Sequence, residues 1–249
     1  MKQQLRQIYD DLSTGRLSQR EALEKIKAVS FDLDDTLWPI WPVIERAEKA
    51  LHDWLSENAP MTAALFSSPG ALRDIRNHMS TARPDLKHDL SALRRESIRL
   101  ALYRAAEDPL LADVAFEVFF AERQRVTLYE DALPALEFMS RRFPLVALSN
   151  GNADLERTGI ARYFRAGINA REFGVGKPDP RIFLAAAGAV EVQPEEILHV
   201  GDDATLDALG ALNAGMQAAW LNRSDTLWPH EVEPQVTVAT LQELCALFA

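Results

Sequence analysis

Cysteine is almost missing from this chain: Cys245 is the one thiol in 249 residues. That excludes an intrachain disulfide framework, and in "LQELCALFA" the residue reads as helix packing. No uninterrupted apolar run approaches the ~20 residues that a membrane span requires. The first 27 residues, "MKQQLRQIYDDLSTGRLSQREALEKIK", are charged throughout and lack the apolar segment of a secretory signal. A cytoplasmic location is the expectation. Basic excess is lacking too. Lys and Arg number 27 against 37 Asp and Glu, a net charge of −10. This argues against nucleic acid as a main partner, since a phosphate backbone selects for cationic surfaces. A small anionic ligand at a local positive site stays open. Repeats and low-complexity tracts are absent as well.

What is present fits an ordinary globular protein, with 47% hydrophobic and 26% charged residues. Residues 1–27 read as an N-terminal helical extension of two short helices. Gly15 breaks the first, and Ser18 with Glu21 forms a capping-box pattern for the second. "AVSFDL" then reads as a buried strand. From 41 to 127 apolar residues recur at three- and four-residue spacing, punctuated by Pro60, Pro69, Pro84 and Pro109, which predicts an all-helical block. Beyond Tyr129, helices ("ALPALEFMSRR", "DLERTGIARYF", "DPRIFLAAAGAV", "LDALGALNAGM") alternate with strands ("PLVALSN", "AGINA", "EILHVG", "QAAWLN"). Asp179 is the expected N-cap of the third helix, with Pro180 in its first turn. This alternation predicts an α/β fold: a Rossmann-like, three-layer parallel sheet. The divided core is 28–40 and 128–249, and the helical block 41–127 is inserted between.

In such sheets ligands bind beyond the carboxyl ends of the strands. Four polar clusters fall there. The first strand ends in Asp32, Asp34, Asp35 and Thr36, and "PLVAL" ends in Ser149, Asn150 and Gly151. "GVGKPDP" supplies Lys177, and "EILHV" ends in Gly201, Asp202, Asp203 and, further on, Asp207. Asp32 and Asp34 share a face only where the strand has ended and the backbone turns. With Asp202 they compose an oxygen-rich pocket suited to Mg²⁺, a hard cation that relieves their repulsion. Asp32 can attack phosphorus, and Asp34 can move the proton to the leaving group and from water. Ser149, Asn150, the nearby N–H groups and Lys177 can hold phosphoryl oxygens. Thr36 reads as a loop brace, and Asp35 as a turn anchor. Asp203 and Asp207 read as supporting acids or helix N-terminal residues, and His199 as a satisfied core histidine. Trp38, Trp41, His88, Arg94 and Arg95 could face an aromatic or polar leaving group. Hinge packing for Trp41 and a solvated helix face for the arginines are the stronger reading.

The motifs "DLDDT", "LSN", "GKPDP" and "GDDATLD", in that order, resemble the four motifs of the haloacid dehalogenase superfamily over 28–40 and 129–240. The resemblance implies that Asp32 is the nucleophile and Asp34 the general acid/base, binding the metal through its main-chain carbonyl. It implies Ser149 and Lys177 at phosphate positions and Asp202 as direct metal ligand. Asp203 and Asp207 would then act through water or by orienting Lys177. The helical block resembles the family's mobile cap. Asp34 together with Asp202 and Asp203 favours phosphatases over true dehalogenases, but does not separate hydrolysis from mutase chemistry. A non-enzymatic phospho-ligand binder would not need Asp32. "FDLDDTLWPIWPVI", "LVALSNGNADL" and "RPDLKHDLSALRRESI" resemble bacterial phosphatases of flavin mononucleotide and of the phosphoribitylaminouracil intermediate of riboflavin synthesis. A small phosphorylated metabolite is therefore the expected partner, with Mg²⁺ as cofactor.

Overall fold

The computed structural model describes residues 19–68 and 70–249. Six strands form one sheet in which every pairing is parallel. They are β1 (Ala28–Phe31), β2 (Leu145–Ser149), β3 (Ala166–Asn169), β4 (Ile197–Gly201), β5 (Gln217–Leu221) and β6 (Val236–Val238), in the order β3-β2-β1-β4-β5-β6. The central strands β1, β2 and β4 are buried at every position, as a parallel sheet covered on both faces requires. Their residues alternate between two cores with the two-residue period of a strand. Val29, Phe31, Leu145 and Ala147 pack into one face with Leu136 and Met139. Ala28, Val146 and Leu148 pack into the other with Ile182, Phe183 and Ala186. Strand order reverses between β1 and β4, so the crevice at a topological switch point opens directly beyond Phe31.

The helices on these faces are α1 (Gln19–Glu24), α7 (Ala132–Ser140), α8 (Ala170–Phe173), α9 (Pro180–Ala189), α10 (Gly210–Asn213) and α11 (Leu241–Ala246). Between β1 and β2 lie α2 (Ile40–Asn58), α3 (Pro60–Leu65), α4 (Ala71–Ala82), α5 (Leu90–Arg104) and α6 (Leu111–Arg123). These have a core of their own, built on Leu51, Leu55, Leu72, Ile98, Leu102, Phe116 and Phe119. The inserted helical block therefore buries apolar area independently of the sheet. Asp179 caps α9 with its side chain on Arg181 N, and Pro180 occupies the first turn.

Three elements differ from the expectation. "DLERTGIARYF" forms turns with a short 3₁₀ segment, Ala161–Tyr163, in place of a helix. The Asp154 carboxylate takes the N–H groups of Glu156 and Arg157, and Gly159 adopts φ +79°, so local bonds outcompete the helix ladder. The helix beyond β4 begins at Ala204 and winds as a π-helix to Leu209. Finally, β6 adds an edge strand unpredicted from its three residues. The helix expected before Gly15, and Ser18 of the capping pattern, lie outside the described residues. From Ala22 onward the extension packs on the sheet core through Leu23 and Ile26.

Cys245 is half-buried on α11, and burial pushes its thiol up to about 11. At pH 8 iodoacetamide should therefore alkylate it about two orders of magnitude more slowly than a free cysteine of pKa ~8.5. Mass spectrometry of native against unfolded protein reads this directly. No helix among the described residues is long and apolar enough to cross a membrane.

Candidate active site

Asp32 follows the last residue of β1, and its N–H donates to Val200 O of β4 at 2.9 Å. The flanking strands deliver Ser149 from β2 and Gly201-Asp202 from β4 to the same edge. Lys177 arrives from the loop before α9. Its Nζ lies 2.5 Å from Asp32 Oδ1 and 2.5 Å from Asp207 Oδ1, with all three groups buried. The Lys177 backbone is clamped by Asn150, whose Oδ1 accepts from Lys177 N at 2.7 Å and whose Nδ2 donates to Lys177 O at 2.9 Å. The Asn150 side chain, expected among the phosphate-holding groups, is thus spent on the Lys177 loop. Ser149 Oγ accepts from Gly151 N at 2.9 Å, which leaves its own hydroxyl proton to donate.

A buried line of polar groups runs behind the lysine. Asp207 accepts from Asp203 N at 3.0 Å and faces His199 Nε2 at 3.4 Å, while His199 Nδ1 meets Ser30 Oγ at 2.8 Å. Burial lowers the His199 pKa, so the ring is neutral near pH 7 and both its nitrogens are partnered, as a core histidine requires. Gly201 makes this line possible, because a Cβ there would collide with the Asp207 side chain. Asp203 accepts from Thr205 N and Leu206 N at 2.8 Å each and caps the π-helix. Thr36 Oγ1 donates to Asp202 Oδ1 at 3.1 Å.

Electrostatics divide the carboxylates. Burial alone would raise Asp207, but the Lys177 charge holds it well below the usual range. Burial pushes Asp32 well above that range; Lys177 pulls it back, and Asp207 and Asp202 push it further up. Burial, then Asp207 and Asp35, drive Asp202 to about 7. One carboxylate oxygen from each of Asp32, Asp202 and Asp207 lies within 4.8 Å of the others. Asp207 is committed to Lys177, which leaves Asp32 and Asp202 as crowded acids whose shared ionisation a hard divalent cation would favour. This donor set fits Mg²⁺.

Asp34 is turned elsewhere. Its carboxylate accepts from Trp38 Nε1 at 2.8 Å, and from Arg123 Nη2 at 2.7 Å to Oδ1 and 2.8 Å to Oδ2. Its side chain is not in the cluster of three acids, so any part in holding the cation falls to its main-chain carbonyl. Trp38 is fully buried and offers no face to a ligand. Asp35 holds its turn at φ +58°, with Oδ1 accepting from Ile40 N at 2.9 Å. Arg123, absent from the residues marked by motif, is 89 positions from Asp34. Its one sequence signal is register: it continues the buried stripe Ala112, Ala115, Phe116 and Phe119 of α6.

In the helical block, Trp41 is 48% exposed with the Arg73 guanidinium 4.2 Å from its ring centroid. Arg94 is buried over Phe119 and 3.6 Å from Glu48. Arg95 lies over Phe116 and pairs with Asp113 and Glu117. His88 is half-buried. The block touches the core where Asn152 Nδ2 donates to Ser91 Oγ at 3.1 Å and where Gln124 bonds Asn152 O and Asp154 N. A cleft of about 440 Å³ opens beside Ser149, with Phe120, Asn152, Arg171 and Glu172 on its walls.

An α/β sheet with acids, a hydroxyl and a buried lysine gathered at its switch point defines a hydrolase-type site. The sequence matches the haloacid dehalogenase-like hydrolase family over residues 26–215, and the chain belongs to that family. It is similar to the 5-amino-6-(5-phospho-D-ribitylamino)uracil phosphatase of Escherichia coli (strain K12), 33% identical over 233 residues, 90% of this chain and 97% of that one. It is 38% identical to the phosphoserine phosphatase of Thermus thermophilus over 157 residues, 61% of this chain and 63% of that one. A crystal structure described as a 2-haloacid dehalogenase from Pseudomonas syringae pv. tomato DC3000 superposes with a TM-score of 0.82 at 39% identity, covering 90% of this chain and 98% of that one.

Proposed function

We propose that this hydrolase is a Mg²⁺-dependent phosphomonoesterase working through an aspartyl-phosphate. The observation that carries this reading is Lys177, held between Asp32 and Asp207, with Asp202 alongside and Asp34 two residues beyond Asp32. A phosphatase needs each of these groups. In the first step an Asp32 oxygen attacks phosphorus. The bond to the leaving oxygen breaks, and that oxygen takes a proton from Asp34. In the second step water gives a proton to Asp34 and attacks phosphorus, and the bond to Asp32 breaks to restore the carboxylate. Ser149 Oγ, the N–H groups of its loop and Lys177 hold the phosphoryl oxygens. Asp32, Asp202 and the Asp34 carbonyl would hold Mg²⁺, which supplies positive charge to the phosphoryl oxygens when bound.

The block 41–127 acts as a cap over the core 28–40 and 128–249, excluding water from the crevice. Flavin mononucleotide or the phosphoribitylaminouracil intermediate is the first substrate to test, supported by the likeness to the Escherichia coli enzyme. The deciding experiment measures phosphate release from these compounds and p-nitrophenyl phosphate, beside halide release from a 2-haloacid. Phosphate release and no halide are expected. Halide release alone would mean a dehalogenase. EDTA should abolish turnover and excess Mg²⁺ restore it; turnover that persists after exhaustive chelation would remove the metal from the mechanism.

A further inference from the structure

The residues that touch Asp34 come from both parts of the molecule, and Arg123 is the one from the end of the helical block. It is 1% exposed, so a charged guanidinium has been taken out of water to reach this carboxylate. Such burial is costly unless the partner geometry is good. The pairing is unusual in form. One nitrogen, Nη2, spans both carboxylate oxygens, while Nη1 is buried and has no hydrogen-bond partner among the described residues. A pair built only to tie α6 to the core would engage both nitrogens in the parallel fork that arginine and carboxylate favour.

The two oxygens of Asp34 are also inequivalent. Oδ1 accepts from both Trp38 and Arg123, and Oδ2 from Arg123 alone. Oδ2 overlooks Gly151: a Cβ at that glycine would collide with Oδ2 and come within 3.2 Å of Ser149 Oγ and 3.4 Å of Arg123 Nη2. Arg123, Asp34 Oδ2 and Ser149 therefore border one small space, and the missing Cβ keeps it open. A proton carried on Oδ2 would be delivered into that space.

We propose that Arg123 is a positioning residue for proton transfer: it reaches from the helical block to fix the Asp34 carboxyl with Oδ2 turned toward the leaving oxygen. This rests on the phosphomonoesterase reading above. Arg123 itself makes and breaks no bond. The proton on Oδ2 passes to the leaving oxygen as its bond to phosphorus breaks, and a water proton returns to Oδ2 in the second step. Because the guanidinium belongs to α6, the acid is fully oriented only with the block seated on the core.

The test uses two leaving groups. p-Nitrophenolate departs without a proton, whereas an alkoxide needs one, and kcat/KM reports the step in which the leaving group departs. General acid catalysis is worth ~10²–10⁴-fold. For Arg123→Met, kcat/KM on an alkyl phosphate should fall about 100-fold, and the alkyl-to-aryl ratio at least about tenfold. Arg123→Lys should recover part of that ratio, which also covers a Met variant that folds poorly. In an Asp34→Asn background, Arg123→Met should change the ratio no further. Equal losses on both substrates in a folded variant, or an additive loss in the double variant, would overturn the proposal. Wild-type protein that releases phosphate from neither substrate would instead sink the phosphatase reading, before any variant is compared.

Discussion

Asp32→Asn should cost at least about 10⁴-fold in phosphate release, because no other carboxylate among the described residues is set to form the covalent intermediate. The same change should leave the metal-free protein as stable as wild type or more so. Asp32 is buried, and its pKa is raised by burial and by Asp207 and Asp202 despite Lys177. A carboxyl whose folded pKa lies above its unfolded value of ~3.9 contributes stability below that value. It loses this contribution as pH rises through the folded pKa. Ionising Asp32 is therefore a cost to the metal-free fold, and the neutral amide removes it. Mg²⁺ should then raise the melting temperature of wild type much more than that of the variant. Retained turnover would remove Asp32 from its role. A variant melting well below wild type in EDTA would show that the charge is needed for folding.

The sheet and its clusters were legible because both depend on local pattern. Short apolar runs ending in polar residues place Asp32, Ser149 and Asp202 at strand ends whatever the intervening sequence, and parallel topology then brings those ends together. The signal fails where a bond made at a distance, or a local side-chain bond, decides the outcome. Asp154 draws two N–H groups into a turn and cancels a helix that spacing alone predicts. Asn150 looks like a phosphate ligand until Lys177 claims both ends of its amide. The Asp34–Arg123 pair joins residues 89 apart, and no motif at either end announces it. Only the placement of Arg123 on the apolar stripe of α6 hints that its charge is used inside the molecule.

Lys177→Met should be the most damaging single change to the fold at the site, and its consequences separate stability from chemistry. The Lys177 side chain is 2% exposed, and its ammonium is the cation paired to both Asp32 and Asp207. Burial would lower its pKa, but the two carboxylates outweigh that and hold it protonated well above its ordinary range. Removing one partner of a buried ion pair typically costs ~3–5 kcal/mol, because the other charge is left uncompensated. For a chain of this size that is roughly 10 °C in melting temperature. The pH dependence should also steepen on the acid side. In wild type, the depressed Asp207 contributes stability above its unfolded pKa of ~3.9 and loses it as pH falls through the folded value. The raised Lys177 contributes stability below ~10.4 and loses it as pH rises through its folded value, so the pair works across the neutral range. The raised Asp32 and Asp202 already favour the wild-type fold on acidification; in the methionine variant the stranded acids are protonated more readily, and the gain from pH 7 toward pH 5 should be larger than in wild type. Adding Asp207→Asn to Lys177→Met removes one stranded charge and should recover much of the lost melting temperature, while phosphate release stays abolished for want of the cation beside the phosphoryl oxygens. A double variant that regained activity along with stability would show that Lys177 serves the fold alone.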